Sequence, residues 1–243
     1  MIALEDAYLK SHLNSHRHRV MISADDFGIS RYANSNTLYL IMLGKIDRVG
    51  LMTYGKIYEE EIKELARSRV KLDIHLDVLH KFNEEHRKRT GVVFRVIEFM
   101  AKRITGKLSN EEVEADWTKQ IEKFRKMFGK NPDGISSHEH VHFYPPFFKI
   151  ALKLQAKYSI PYIRFGESTL AEQNKPAARI LHWLKIVNRK NFRENGYVSS
   201  ESFTNLDWIK DIEGFINNLP KGITEIACHP EVIDDFEKIK KYF

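Results

Sequence analysis

Three histidines stand at alternate positions in the stretch SSHEHVHFYPP, Ser136 to Pro146: His138, His140 and His142. The chain has eleven histidines in 243 residues, so three within five positions is a marked concentration. Neutral imidazole is a good ligand for Zn²⁺ and other first-row ions. On an extended segment, positions i, i+2 and i+4 share a face at a spacing of about 6–7 Å, too wide for all three to reach one ion. One or two can ligate while another binds substrate. The same run also suits the polar face of an alternating strand.

Paired carboxylates are the second candidate. Asp25 and Asp26 end the run HRVMISADD. Adjacent strand residues point to opposite faces unless the chain turns, and Gly28 permits a turn. One carboxylate can then bind a metal while the other serves as a base; the competing role is an Asx turn opening the next helix. His75 lies in VKLDIHLDVL, where Asp73, His75 and Asp77 share one face and Leu72, Ile74, Leu76 and Val78 the other. That polar face is ligand-like if it lines a cavity and merely polar if it meets solvent. His229 in IACHPEVID follows an apolar run and precedes Pro230, which suits a general acid or a structural imidazole. Arg164 sits near the end of PYIRFG.

These residues need a scaffold. The runs HRVMISADD, DRVGLMTYG, VKLDIHLDVL, DGISSHEHVHF, PYIRFG and ITEIACHP predict strands or strand ends. Helical periods separate them, in RYANSNTLYLIMLGK, IYEEEIKELARSR, FFKIALKLQAKYS, residues 169–190 and LDWIKDIEGFINNL. Ser109 and Glu112 predict a capping box on a helix that ends near Gly129. Residues 80–90 are densely charged and read as a loop or lid. Strands alternating with helices predict an α/β fold with parallel strands and outer crossover helices. In such folds the active site forms at the carboxyl ends of the strands. Asp25 and Asp26, His75 and Asp77, the triple histidine, Arg164 and His229 all fall at such ends, so five strands deliver polar groups to one rim.

The bulk composition narrows the classes. Hydrophobic residues make up 42% of the chain, enough for one sizeable core. No internal repeat or linker divides it, so residues 1–17 read as an N-terminal extension and 18–243 as one domain. The net charge of +6 is spread among Glu-rich helix faces such as EEEIKELARSRVK and predicts solvated surfaces. No nucleic-acid-binding signature accompanies it. The single cysteine, Cys228, excludes an internal disulfide and a cysteine-rich zinc site. The opening MIALEDAYLKSHLNSHRHR lacks the apolar core of a secretory signal, and no apolar run is long enough to span a membrane. The expected compartment is the cytoplasm.

Four stretches, SADDFGIS, IHLDV, SSHEHVHFYPP and IACHPEVID, occur in that order across residues 18–235. Together they resemble the motifs of the YdjC-like carbohydrate deacetylases, which include the chitooligosaccharide deacetylases. The resemblance implies a distorted (β/α) barrel of the glycoside hydrolase/deacetylase type. It implies removal of the acetyl group from an N-acetylated sugar or short oligosaccharide, with one divalent ion, Mg²⁺ or Zn²⁺. Carried over residue by residue, Asp26, His75 and His138 are the metal ligands, Asp25 the general base and His229 the general acid. His140, His142, Arg164 and Asp77 border the substrate. Asp77 stands where the family usually carries Asn, which adds negative charge beside the metal. The implied partner is a small carbohydrate, with neither nucleic acid nor membrane, and a homodimer stays open. The alternatives are a metal-dependent phosphoesterase or other amidohydrolase, and a non-catalytic carbohydrate-binding relative.

Overall fold

The computed structural model describes residues 17–78, 99, 101–103, 105–106, 108–168, 175–194 and 196–243. Residues 1–16 of the expected extension and the stretch 80–90 lie outside them. The described residues form seven strands: β1 Val20–Phe27, β2 Arg48–Leu51, β3 Lys71–Leu76, β4 Gly134–Ser137, β5 Glu167–Ser168, β6 Ser202–Asn205 and β7 Thr224–Cys228. They make one sheet in the order β4-β3-β2-β1-β7-β6-β5, and every pairing is parallel. The connecting helices are α1 Arg31–Met42, α2 Glu59–Arg67, α3 Asn110–Phe128, α4 Pro145–Lys157, α5 Pro176–Glu194, α6 Ile212–Asn217 and α7 Ile233–Tyr242.

The sheet curls until its ends approach. Ile135 of β4 donates its N–H to Tyr162 O at 3.0 Å and accepts from Arg164 N at 2.9 Å, an isolated parallel bridge to the chain leading into β5. The expected distorted barrel is therefore what forms. Inner and outer faces are both covered, so β3 is buried from Leu72 to Leu76, its polar Asp73 and His75 included. That is the usual condition of a parallel strand with helices on one side and a packed interior on the other.

Helix α3 shows how local signals place an element. Ser109 Oγ accepts from Glu112 N at 3.1 Å, Glu112 Oε2 accepts from Ser109 N at 2.9 Å, and Gly129 ends the helix in the left-handed region. Val113, Trp117, Ile121 and Phe124 form its buried stripe. Gln120 on the same helix accepts from Asp77 N at 2.9 Å and donates to Asp77 O at 2.6 Å, which anchors the end of β3. Among the described residues no helix is long and apolar enough to cross a membrane.

Three local expectations are corrected. PYIRFG contributes bridges at Tyr162 and Ile163, while the β5 strand itself begins at Glu167. LDWIKDIEGFINNL divides into a 3-10 turn, Leu206–Trp208, and the short α6, because Asp211 caps a new helix by accepting from Gly214 N. DGISSHEHVHF is extended only to Ser137; a 3-10 turn follows over His138–Phe143, with Glu139 and His140 left-handed at φ 49° and 54°. The three histidines therefore do not share a strand face.

Candidate active site

The site begins with an irregularity in β1. Ala24 pairs with Val49 and Phe27 with Leu51, so β1 holds one more residue than β2 between those pairs. Such a bulge re-aims side chains at a strand end. Asp26 sits in it at φ 61°, a conformation unfavourable for any residue with a Cβ. The turn thus falls at Asp26 itself, with Gly28 following at φ 106°.

The bulge gives the two aspartates different partners. Asp26 Oδ1 lies 2.7 Å from His138 Nδ1 and 3.1 Å from His75 Nε2. Candidate ligand atoms of Asp26, His75 and His138 all lie within 4.8 Å of one another. The Nδ1 of His75 is engaged by Ser136 Oγ at 2.7 Å, which leaves Nε2 to face Asp26. A metal-binding imidazole is ordinarily fixed this way through its second nitrogen. The cluster therefore fits a divalent ion with one carboxylate and two imidazoles, a set that leaves coordination positions open. Against the cost of burial, His138 holds the Asp26 carboxyl well below its ordinary range. Asp26 in turn raises His138 to about 9, again against burial.

Asp25 belongs to a separate arrangement. Arg164 Nη1 donates to its Oδ2 at 2.6 Å and Nη2 to its Oδ1 at 2.8 Å. Burial disfavours the carboxylate, yet the Arg164 charge prevails and holds Asp25 down to about 2. Arg164 is fully buried; it also donates to Ser23 Oγ at 2.7 Å and Glu225 Oε1 at 2.8 Å. Glu225 Oε2 accepts from Tyr162 OH at 2.6 Å, and the Tyr162 ring lies under Arg48, which makes a bidentate pair with Asp73. Arg164 thus lies inside the barrel as the partner of two carboxylates.

His229 follows the end of β7. Its backbone N–H donates to Asp235 Oδ2 at 2.9 Å, its Nδ1 is 3.7 Å from the same oxygen, and its Nε2 is 4.0 Å from Asp26 Oδ2. Burial works against protonation, but Asp235 foremost, then Asp26 and Asp25, raise His229 to about 10. A protonated imidazole and an ionised carboxylate thus flank the Asp26 cluster. The two environments push these titratable groups in opposite directions.

The remaining expected residues scatter around this centre. His140 Nε2 is 3.1 Å from Asn205 Nδ2, and its ring packs among Phe143, Phe203 and Trp208. His142 is fully buried, with Nδ1 2.6 Å from Ser137 Oγ and Nε2 3.1 Å from Arg164 O; burial holds it down to about 3, so it is a neutral strut. Asp77 is buried at the end of β3 and its charge acts on His138.

Sequence reasoning missed Ser136, Asn205, Glu225, Asp235 and Gly50. Of these only Asp235 carried a local signal, an acid in the helix start just after His229. A Cβ on Gly50 would lie 2.9 Å from His75 Nδ1 and 3.1 Å from Asp25 Oδ1, so β2 has no side chain where those two groups pass.

A family model described as YdjC-like protein matches residues 19–241. A carbohydrate deacetylase from Halalkalibacterium halodurans is 26% identical over 229 residues, 89% of this chain and 86% of that one. A chitooligosaccharide deacetylase from Escherichia fergusonii is 22% identical over 221 residues, 89% of this chain and 82% of that one. Among solved structures, an Enterococcus faecalis protein provisionally described as a cellobiose-phosphate cleavage protein matches with a TM-score of 0.59 at 18% identity, over 90% of this chain and 83% of that one. That last likeness is one of fold.

Proposed function

The chain belongs to the YdjC-like family, and on that footing we propose that it is a metal-dependent hydrolase that removes the acetyl group from an N-acetylated sugar or short oligosaccharide. One observation carries the reading: Asp25, held ionised, and His229, held protonated, stand beside the Asp26, His75 and His138 cluster. The names of the relatives, carbohydrate deacetylase and chitooligosaccharide deacetylase, point to the same chemistry.

A divalent ion held by Asp26, His75 and His138 would supply Lewis acidity, acidifying a water and polarising the acetyl carbonyl. Asp25, oriented by the Arg164 fork, accepts the proton of the attacking water. His229, oriented by Asp235, gives its proton to the departing amine, which is otherwise a poor leaving group. Ser136 keeps the His75 ring aimed, and His142 braces the turn that presents His138. The products are acetate and a free amino sugar.

For the phosphoesterase alternative, Arg164 is not a free cation, because its donors are turned to Asp25, Ser23 and Glu225. The test is metal analysis together with acetate release from N,N′-diacetylchitobiose. One ion per chain and acetate release abolished by a chelator are expected. Bound metal with phosphate-ester cleavage and no acetate would move the reading to a phosphoesterase. Neither metal nor turnover would leave a sugar-binding relative.

A further inference from the structure

Beside the reaction centre stands a second polar pair that the hydrolysis above does not use. His140 and Asn205 are joined at 3.1 Å through His140 Nε2 and Asn205 Nδ2. His140 Nδ1 and Asn205 Oδ1 are both buried and without a hydrogen-bond partner among the described residues. Buried polar atoms are nearly always paired, so two orphans on one bonded pair call for a missing partner.

The chemistry of that partner follows from a count of donors and acceptors. A neutral imidazole has one N–H and one lone pair. If the Asn205 amide donates to Nε2, then Nδ1 carries the proton and Asn205 Oδ1 is left as an acceptor. If the amide is turned over, Nε2 donates to Oδ1, Nδ1 is left as an acceptor and the amide NH₂ as a donor. Either way the pair offers one donor and one acceptor. A phosphate or carboxylate offers only acceptors and an ammonium only donors; a hydroxyl both donates and accepts, so two hydroxyls of one guest serve the two atoms, which point away from each other because Nε2 already faces Asn205.

The immediate neighbours of the imidazole are aromatic. Phe203, Phe143 and Trp208 place their ring centroids 5.3, 6.4 and 6.4 Å from the His140 imidazole. The position is that of the active site as well. Asn205 ends β6 in register with Ala227 of β7, one residue short of the level at which Cys228 pairs with Ala24, next to Asp25.

We infer that His140 and Asn205 form a hydroxyl-reading subsite that binds uncharged sugar hydroxyls next to the reacting acetamido group. The inference rests on the deacetylase reading for its substrate class. A site built to hydrogen-bond a hydroxyl rejects analogues that lack it, by far more than a purely apolar pocket can.

The test is calorimetric binding of N,N′-diacetylchitobiose and its mono-deoxy analogues to the full-length protein, with acetate release measured in parallel. Wild type should bind one deoxy analogue at least tenfold more weakly than the parent sugar. Asn205→Leu should keep wild-type metal content, bind the parent at least tenfold more weakly, and no longer distinguish that analogue. Should Asn205→Leu fail to fold, His140→Phe, which retains a ring among the same aromatics, carries the comparison. Equal binding of the parent sugar by wild type and variant overturns the subsite, as does a variant that still distinguishes the analogue; either result would mean that the pair holds a buried water only. Sugar binding with the expected pattern but no acetate release would sink the deacetylase reading while leaving the subsite. Acetate release with an indifferent Asn205→Leu would do the reverse.

Discussion

Asp25 and Asp26 are consecutive in the chain, yet Asp25 is clamped by Arg164 at 2.6 and 2.8 Å while Asp26 faces His138 at 2.7 Å and His75 at 3.1 Å. The extra residue that β1 carries against β2 makes this division. Two carboxylates of the same type thereby acquire different chemistry from their neighbours alone.

Asp25→Asn is expected to keep the metal and lose turnover, by roughly 10²- to 10⁴-fold in kcat, the usual worth of a positioned base. His138→Ala is expected to lose both. Metal content by mass spectrometry and acetate release read the two separately. Full activity in Asp25→Asn would remove the base assignment.

Metal uptake should be proton-linked. His138 is raised to about 9, mainly by Asp26 against the cost of burial, so at neutral pH an incoming ion must displace its proton. Apparent affinity is expected to fall as pH is lowered from 9, and titration calorimetry in buffers of different ionisation enthalpy should report proton release at pH 7. In the metal-free protein the sign runs the other way. The His138–Asp26 pair contributes its full stability below the ordinary imidazole value and loses it as pH rises through about 9. Metal affinity that did not vary with pH would contradict this.

Gly50→Ala should disturb the site while leaving the fold. The added methyl would crowd His75 Nδ1 at 2.9 Å, the nitrogen that Ser136 engages. Loss of such supporting contacts typically weakens metal binding by about 10- to 100-fold. An unchanged circular dichroism spectrum with weaker metal binding is the expected pair of results.

Asp235→Asn should move the pH profile. Asp235 is the foremost group raising His229 to about 10. With that charge removed, His229 gives up its proton at lower pH, so the descending basic limb of kcat/KM should shift to lower pH. An unmoved basic limb would show that His229 is not the acid.

Glu225→Ala is expected to destabilise the protein by about 3–5 kcal/mol, the usual cost of breaking a buried ion pair. Glu225 and Arg164 are both fully buried and joined at 2.8 Å. Denaturant melts read the loss directly.

Much of this was legible in the sequence. The helix caps at Ser109 and Gly129, the apolar runs of the strands, and the placing of Asp25, Asp26, His75, His138 and His229 at strand ends all depend on residues close to one another in the chain. Local periodicity and turn chemistry suffice for those, and the order of the motifs sufficed for the family. The partners of each side chain were a different matter. His138 meets Asp26 across 112 positions, Arg164 meets Asp25 across 139, and His140 meets Asn205 across 65. Those meetings depend on strand order, on a one-residue bulge and on two left-handed residues, Glu139 and His140, that fan the three histidines apart. The residue types at the rim were written in the chain; which of them clamps, ligates or braces was decided by packing, because only the curled sheet brings distant strand ends within hydrogen-bonding reach.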